Sequence, residues 1–258
     1  MNAGDPEGEV IGAAGIVMAA GQGTRFASDV PKVMHHVAGR PMLAHVVATG
    51  RAAGLDPLVV VIQPGMEVGS AADGAVSVDQ PPTGRGTAFA VEVGLGAVPA
   101  GIDVVVALYG DSPLVRPATV RGVVNALAVS NAVAAITWAD VPQPAAFGRV
   151  RLAADGLVLG IVEAADATAD DLALTTVNAG PAAFRAAWVR RALSRVAPSP
   201  TSGERYLTQL VDLAIDDGRA VAGYQLIDLD ETIGCDDLDR LAAANAAFRR
   251  REHKPQRR

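Results

Sequence analysis

Three short runs in the first half of the chain, residues 16–19, 58–62 and 104–108, are apolar at every position, and helix-length segments separate them. A strand with one wet face alternates apolar and polar residues, whereas a strand that is apolar throughout must be covered on both faces. The pattern therefore predicts an α/β fold with a parallel sheet between helices, the helices falling over residues 42–53 and 87–95. A further helix is expected over 117–130, opened by Pro117 in its first turn, and a further buried strand over 132–137. After about residue 140 the pattern changes: 150–152 and 158–162 flank Asp155-Gly156, a hairpin-turn dipeptide. Residues 206–217 and 236–251 read as helices, the last a packing helix with Leu238, Leu241, Ala242, Asn245 and Phe248 at helical spacing.

Half of the 258 residues are apolar, enough for a substantial core in one main unit. The net charge of −6 disfavours nucleic acid as a partner, since a nucleic-acid binder presents a basic face. The only like-charge run is the basic ending from Arg249, read as a solvated helix end and tail. A single cysteine, Cys235, excludes an internal disulfide and a cysteine-cluster metal site. No apolar run is long enough to span a bilayer and the acidic start is unlike a secretory signal, so no membrane partner and a cytoplasmic location are expected. Residues 1–10 are expected to be disordered.

The chemistry concentrates after the first apolar run, in Gly21-Gln22-Gly23-Thr24-Arg25 and in Pro31-Lys32. Glycines let backbone N–H groups approach phosphate oxygens with no Cβ in the way. The spacing matches neither a P-loop nor a dinucleotide fingerprint, and on its own the glycine pair suits a tight turn as well as a phosphate cradle. Arg25 and Lys32 add two cations, the second on a segment stiffened by proline, and charge neutralisation is what transfer at phosphorus requires. Asp111 follows the third apolar run, where ligands of open parallel sheets bind and where a carboxylate can hold Mg²⁺. The acids Asp228, Asp230, Glu231, Asp236, Asp237 and Asp239 offer a second metal ligand, and spacing does not choose among them. His35, His36 and His45 read as packing or surface residues.

Gly21 to Arg25, Pro31-Lys32-Val33-Met34-His35, Ala38-Gly39-Arg40-Pro41-Met42 and Leu108-Tyr109-Gly110-Asp111-Ser112-Pro113-Leu114 together resemble the sugar-1-phosphate nucleotidylyltransferases. The likeness is greatest to the uridyltransferase domains that act on N-acetylglucosamine 1-phosphate. It extends through Gly86-Thr87-Ala88, Phe147-Gly148-Arg149-Val150, Gly160-Ile161-Val162-Glu163, Val177-Asn178-Ala179-Gly180 and Gly203-Glu204-Arg205-Tyr206-Leu207-Thr208. The resemblance implies a Rossmann-like, mixed, mostly parallel sheet flanked by helices. It also implies one transferase domain over residues 11–251: a nucleotide-binding half over about 11–140, a sugar-binding half over about 141–235, and a C-terminal helix over about 236–251, followed by a basic tail over 252–258. By the same resemblance Arg25 and Lys32 are catalytic, and Ala19, Ala20, Gly21, Gly23, Thr24, Gln80, Gly86 and Thr87 bind the nucleotide. Tyr109, Gly148, Glu163 and Asn178 contact the sugar, and Asp111 and Asp236 hold Mg²⁺.

The implied reaction joins UTP to N-acetylglucosamine 1-phosphate with release of pyrophosphate. The chain departs from the uridyltransferase pattern at Ala146 and Phe147, at Ala164 and Ala165, at Ala179, at Gln209 and around Arg85. These departures keep open a GTP-dependent or other nucleotidylyltransferase for an unusual sugar 1-phosphate. A cytidylyltransferase of isoprenoid synthesis shares the glycine-rich and Pro-Lys motifs, but Tyr109 to Leu114 favour the sugar enzymes. A nucleotide-sugar sensor without turnover is the reading from another class, disfavoured by the presence together of Arg25, Lys32, Asp111 and Asp236. Asp236 stands where asparagine is common in the uridyltransferases, and a carboxylate suits a hard cation better than an amide. No hexapeptide repeat occurs in the sequence, so no β-helix trimer or acetyltransferase activity is expected, and a monomer or homodimer is.

Overall fold

Strand β1 (Ala13–Met18) leads into the glycine loop, and a two-residue hairpin of β2 (His36–Val37) and β3 (Arg40–Pro41) precedes helix α1 (Met42–Ala52). Then come β4 (Leu58–Ile62), β5 (Val76–Asp79), α2 (Thr87–Leu95), β6 (Val104–Tyr109), α3 (Pro117–Val129) and β7 (Ala134–Asp140). The hairpin β8 (Arg149–Leu152) and β9 (Val158–Val162) is followed by a single turn, α4 (Ala169–Leu172), and the long strand β10 (Thr176–Arg185). Helices α5 (Ala186–Ala192) and α6 (Gln209–Asp216), strand β11 (Val221–Gln225) and helix α7 (Leu238–Glu252) complete the order. The computed structural model describes residues 12–252 apart from 22, 27, 145 and 165, so the disorder expected over 1–10 and the tail from 253 lie outside the described residues.

The main sheet runs β11-β7-β10-β6-β1-β4-β5. β1 pairs parallel with β4 and β6, β4 with β5, and β11 with β7, while β10 runs against both β6 and β7. The fold is thus the mixed, mostly parallel α/β sheet that the apolar runs and the resemblance imply. Because β10 lies between β6 and β7, the two halves expected on either side of residue 140 share one sheet.

Alternation along the buried strands supplies both faces. Ala14 and Ile16 of β1, Val59 and Val61 of β4, and Val105 and Ala107 of β6 pack with α2, α5 and α6. Their neighbours Val17, Val60, Val106 and Leu108 pack with α1 and α3 on the other face. Each such Val, Leu or Ile contributes roughly 1.5–3 kcal/mol by leaving water. β1 starts earlier than expected, because Ala13 and Ala14 continue the register opposite Val104 and Val105, and it ends at Met18. The 155–156 hairpin forms as predicted, with the Gly156 N–H donating to the Ala153 carbonyl at 3.0 Å and Gly156 at φ 85°.

Two helix predictions need correction. The α6 helix begins at Gln209, because Tyr206 to Thr208 are held outside it: the Leu207 N–H donates to the Thr87 hydroxyl at 2.8 Å. In α7 the expected core face is right in part: Leu241 and Phe248 pack against the core, but two of the expected positions do not. Leu238 is 58% exposed and Ala242 is exposed, whereas Ala244 and Ala247 are buried. Asn245 is polar on that packed face, and its side chain accepts from the Ala38 N–H and donates to the Leu241 carbonyl. Asp236 and Asp237 stay outside the helix, and the Asp237 carboxylate takes the Arg240 N–H at 2.8 Å, as an N-terminal cap does.

Gly86, immediately before α2, has φ 97°, and a Cβ there would lie 2.4 Å from the Arg205 carbonyl oxygen. The approach allows the Ala88 N–H to donate to that oxygen and the Arg205 N–H to donate to the Arg85 carbonyl. Gly86→Ala is expected to lower stability by more than about 1 kcal/mol, since both the positive φ and the backbone contact oppose a side chain. Thermal denaturation checks this, and an unchanged Tm would show that the contact is dispensable.

Candidate active site

The carboxyl ends of β1, β4, β5 and β6 lie at one pole, where Met18 pairs with Tyr109 and Ile62 with Asp79. Ligands of open α/β sheets bind beyond such ends. Two adjoining cavities occur there, of about 560 and 610 Å³, and they share Gly23, Thr87, Tyr109, Asp111, Glu204 and Tyr206. The first is lined by Ala20, Gly21, Gly23, Gln80, Gly86 and Thr87 among the predicted nucleotide residues. The second is lined by Arg25 and Lys32, by Gly148, Glu163 and Asn178, and by Asp236.

Lys32 lines the second cavity and is paired with Asp111, which lines both. Its Nζ lies 2.5 Å from Asp111 Oδ2 and 2.6 Å from Asp236 Oδ1, and its side chain is only 12% exposed. Burial alone would lower the Lys32 pKa, but the two carboxylates outweigh it and raise it above the ordinary lysine value, so the ammonium is kept. The backbone sets this geometry. The Cys235 N–H donates to the Asp111 carbonyl at 2.9 Å, fastening the 234–237 segment to the end of β6. Gly23, at φ 60°, passes so close that a Cβ would meet Lys32 Cβ at 2.5 Å. Cys235 itself is buried, and that burial pushes its thiol up to about 12, which makes it a packing residue and not a nucleophile.

On the far wall, Thr208 Oγ1 donates to Glu163 Oε1 at 2.7 Å, and the Asn178 N–H donates to the Gly148 carbonyl at 2.9 Å. The register of β10 against β7 shifts between Asn178 and Ala182, and the extra residues, Ala179 and Gly180, line the cavity beside Asn178. Burial raises the Tyr109 pKa, with the Glu163 and Asp111 charges adding to it, so the phenol stays protonated and serves as a hydrogen-bonding group.

Most predicted site residues therefore converge, with two qualifications. Ala19 is 1% exposed and its N–H is spent on the Val61 carbonyl, so it underlies the cleft without lining it. Thr24 lies in the short 24–26 helical turn beside the cleft, next to the exposed Arg25. Of the residues behind the substrate alternatives, Arg85 lines the first cavity and Ala146, Phe147 and Ala179 the second, while Ala165 lies outside the described residues. The histidines pack as expected: His45 is buried with Nε2 2.7 Å from the Val37 carbonyl, and His35 stacks against Phe26 at 4.5 Å.

Sequence reasoning missed four contributors. Gln63 donates to the Ala20 carbonyl at 3.1 Å and lines the first cavity; Glu204 and Tyr206 lie where the cavities meet. The Gly-Glu-Arg-Tyr-Leu-Thr motif held the signal for the last two. Arg240 lines the second cavity with its guanidinium 5.5 Å from the Phe147 ring centroid, and nothing in a helix-face pattern singles it out.

Beneath the second cavity, Glu231 is buried and accepts from the Thr119 hydroxyl at 2.6 Å and the Arg116 N–H at 2.9 Å. Burial raises its pKa above the ordinary glutamate value despite these bonds. Between the unfolded and folded values the folded protein holds the extra proton, so this group's contribution to stability falls as pH rises through that window. The Tm of Glu231→Gln relative to wild type is thus expected to climb as pH rises above the ordinary glutamate value, a trend that paired melting curves would test. A constant difference would mean that the carboxyl is not perturbed.

Residues 15–211 match the model of the MobA-like NTP transferase domain. The bifunctional protein GlmU of Mycolicibacterium vanbaalenii is 38% identical over 250 residues, covering 93% of this chain and 50% of that protein. GlmU of Xanthobacter autotrophicus is 40% identical over 240 residues, covering 92% of this chain and 53% of that one. The chain spans about half the length of the curated relatives it matches. Among solved structures, a putative glucose-1-phosphate thymidylyltransferase from Bacillus anthracis, in complex with a sucrose, aligns with a TM-score of 0.75 at 18% identity. It covers 92% of this chain and 95% of that one, a likeness of fold.

Proposed function

Since this chain belongs to the MobA-like NTP transferase domain family, we propose that it transfers a nucleotidyl group from a nucleoside triphosphate to a sugar 1-phosphate, releasing pyrophosphate. The proposed substrates are UTP and N-acetylglucosamine 1-phosphate, supported by the identity to the two GlmU proteins over nearly the whole chain. The observation that carries the reading is the Lys32 ammonium between Asp111 and Asp236 in one of two adjoining cavities that share Asp111, each of a size for a small ligand.

In this reading the triphosphate enters along the glycine loop, where Gly21 and Gly23 let backbone approach its oxygens, and the base reaches Gln80 and Arg85. The Gln80 side-chain N–H donates to the Gly84 carbonyl at 3.4 Å, which leaves its side-chain oxygen to serve as an acceptor. Glu163 and Asn178 read the sugar, with Thr208 fixing the Glu163 carboxylate. An oxygen of the sugar phosphate attacks the α-phosphorus, the bond to the β-phosphate oxygen breaks, and pyrophosphate departs. The nucleophile is already anionic at neutral pH, so no residue needs to remove a proton. Lys32 and Arg25 neutralise the charge that gathers on the phosphate oxygens, the main catalytic term in phosphoryl transfer.

Asp111 and Asp236 fit Mg²⁺. Their hard oxygens lie within reach of one ammonium, and Mg²⁺ commonly takes one or two carboxylates and fills its shell with phosphate and water. Among the described residues no group of three or more His, Cys, Asp or Glu side chains competes as a closed protein cage. Bound there, Mg²⁺ would supply further charge neutralisation at the phosphates.

Pyrophosphate release from each triphosphate paired with a panel of sugar phosphates tests the reading. Turnover is expected to be highest with UTP and N-acetylglucosamine 1-phosphate. Turnover confined to GTP would favour the second reading, which rests on Arg85 in the first cavity, and no release with any pair would leave a binding protein. Asp111→Ala should lower turnover about 100-fold or more while circular dichroism shows the fold retained. Arg240→Gln should raise KM for the sugar phosphate about tenfold and leave KM for the triphosphate nearly unchanged, the mark of lost acceptor binding.

A further inference from the structure

A third cavity, of about 440 Å³, opens at the other pole of the sheet. Arg185, one of its lining residues, pairs with Val104, the first residue of β6, whereas Asp111 follows the last. Three arginines from three separate segments line it: Arg185 at the end of β10, Arg191 on α5 and Arg219 before β11. The wall behind them is Trp188, 8% exposed.

These charges outnumber the carboxylates beside them: Asp217 also lines the cavity and its charge acts on Arg219, but its hydrogen bonds go elsewhere. Asp217 is the one carboxylate among the lining residues, and both its oxygens lie within 2.9 Å of Arg195 Nη1, a fourth arginine. The same carboxylate accepts from the Trp188 indole at 3.4 Å. Arg185 donates to the Leu127 carbonyl at 3.2 Å, which fixes its guanidinium without cancelling its charge. Arg191 and Arg219 have no carboxylate partner within 4 Å among the described residues, and both are exposed. The contrast with Arg190, the preceding residue of α5, is direct: its guanidinium is spent on the carbonyls of Leu95 and Val98. Three arginines against one carboxylate leave an excess of positive charge around one concavity, in a chain whose net charge is −6.

We propose that this cavity binds a soluble, phosphate-bearing small molecule, its phosphate held by Arg185, Arg191 and Arg219 and its remaining atoms against Trp188. Guanidinium forks match phosphate oxygens in pairs, and the cavity is large enough for more than an inorganic ion. The site is separate from the catalytic cleft, and the proposal does not depend on the nucleotidyl-transfer reading.

The test follows the side-chain N–H signals of the full chain, labelled with nitrogen-15, as inorganic phosphate is added, with chloride at matched ionic strength as control. The Trp188 indole signal, identified by its loss in Trp188→Phe, and the arginine Nε–H signals are expected to shift saturably with phosphate and not with chloride. In Arg191→Gln/Arg219→Gln the midpoint is expected to move up about tenfold or more, with pyrophosphate-releasing activity and the circular dichroism spectrum unchanged. Equal shifts with chloride, no shift with phosphate, or an unchanged midpoint in the double variant would each overturn the proposal.

Discussion

One buried ammonium holds the cleft together. Lys32 comes from the loop after β1, Asp111 from the end of β6, and Asp236 from the entrance to α7, so a single charge joins the start, middle and end of the chain. Its burial would be costly alone, since desolvation disfavours the charged form, and the two carboxylates reverse that preference. The carboxylates would repel one another without the cation between them. The ammonium between them offsets that repulsion, and the backbone bond from Cys235 to Asp111 keeps the three groups within reach.

Around that point the division of labour follows from the sheet. Parallel strands end together, which collects the glycine loop, Gln63, Gln80 and Asp111 at one pole. The reversed strand β10 begins where the others end, and it delivers Asn178 to the same pole by its first turn of chain. The 203–208 segment then closes the space between them, bonding to the start of α2 through Thr87 and to the far wall through Glu163.

Much of this was legible in the residues because burial leaves a direct trace. Runs with no polar position could only be central strands, and Val59 to Val61 and Val105 to Ala107 are fully buried. Pro117 and Asp155-Gly156 mark a helix start and a turn through backbone restrictions that tertiary context rarely overrides. The choice of Asp236 among six acids came from resemblance alone, since its partner Lys32 lies 204 positions away and spacing carries no such information. In helix α7, Leu241 and Phe248 pack as expected but Leu238 and Ala242 do not, because an apolar residue at the right spacing looks the same whether packed or exposed. Small alanines, which lie against Phe26, Val37 and Met42, give little signal of their burial. Arg240 and the arginines of the opposite pole were invisible for a related reason: a cation is informative only once its partners, or their lack, can be seen.

The position of β10 carries a mechanical consequence. A strand hydrogen-bonded on both sides to strands of the first half leaves no seam along which the two halves could swing like jaws. The floor under both cavities is one continuous surface, and the spacing between the two cavities is set by strand separation. Any relative movement of the cavity walls would have to come from the loops at the rim, with the sheet as a fixed bench beneath them.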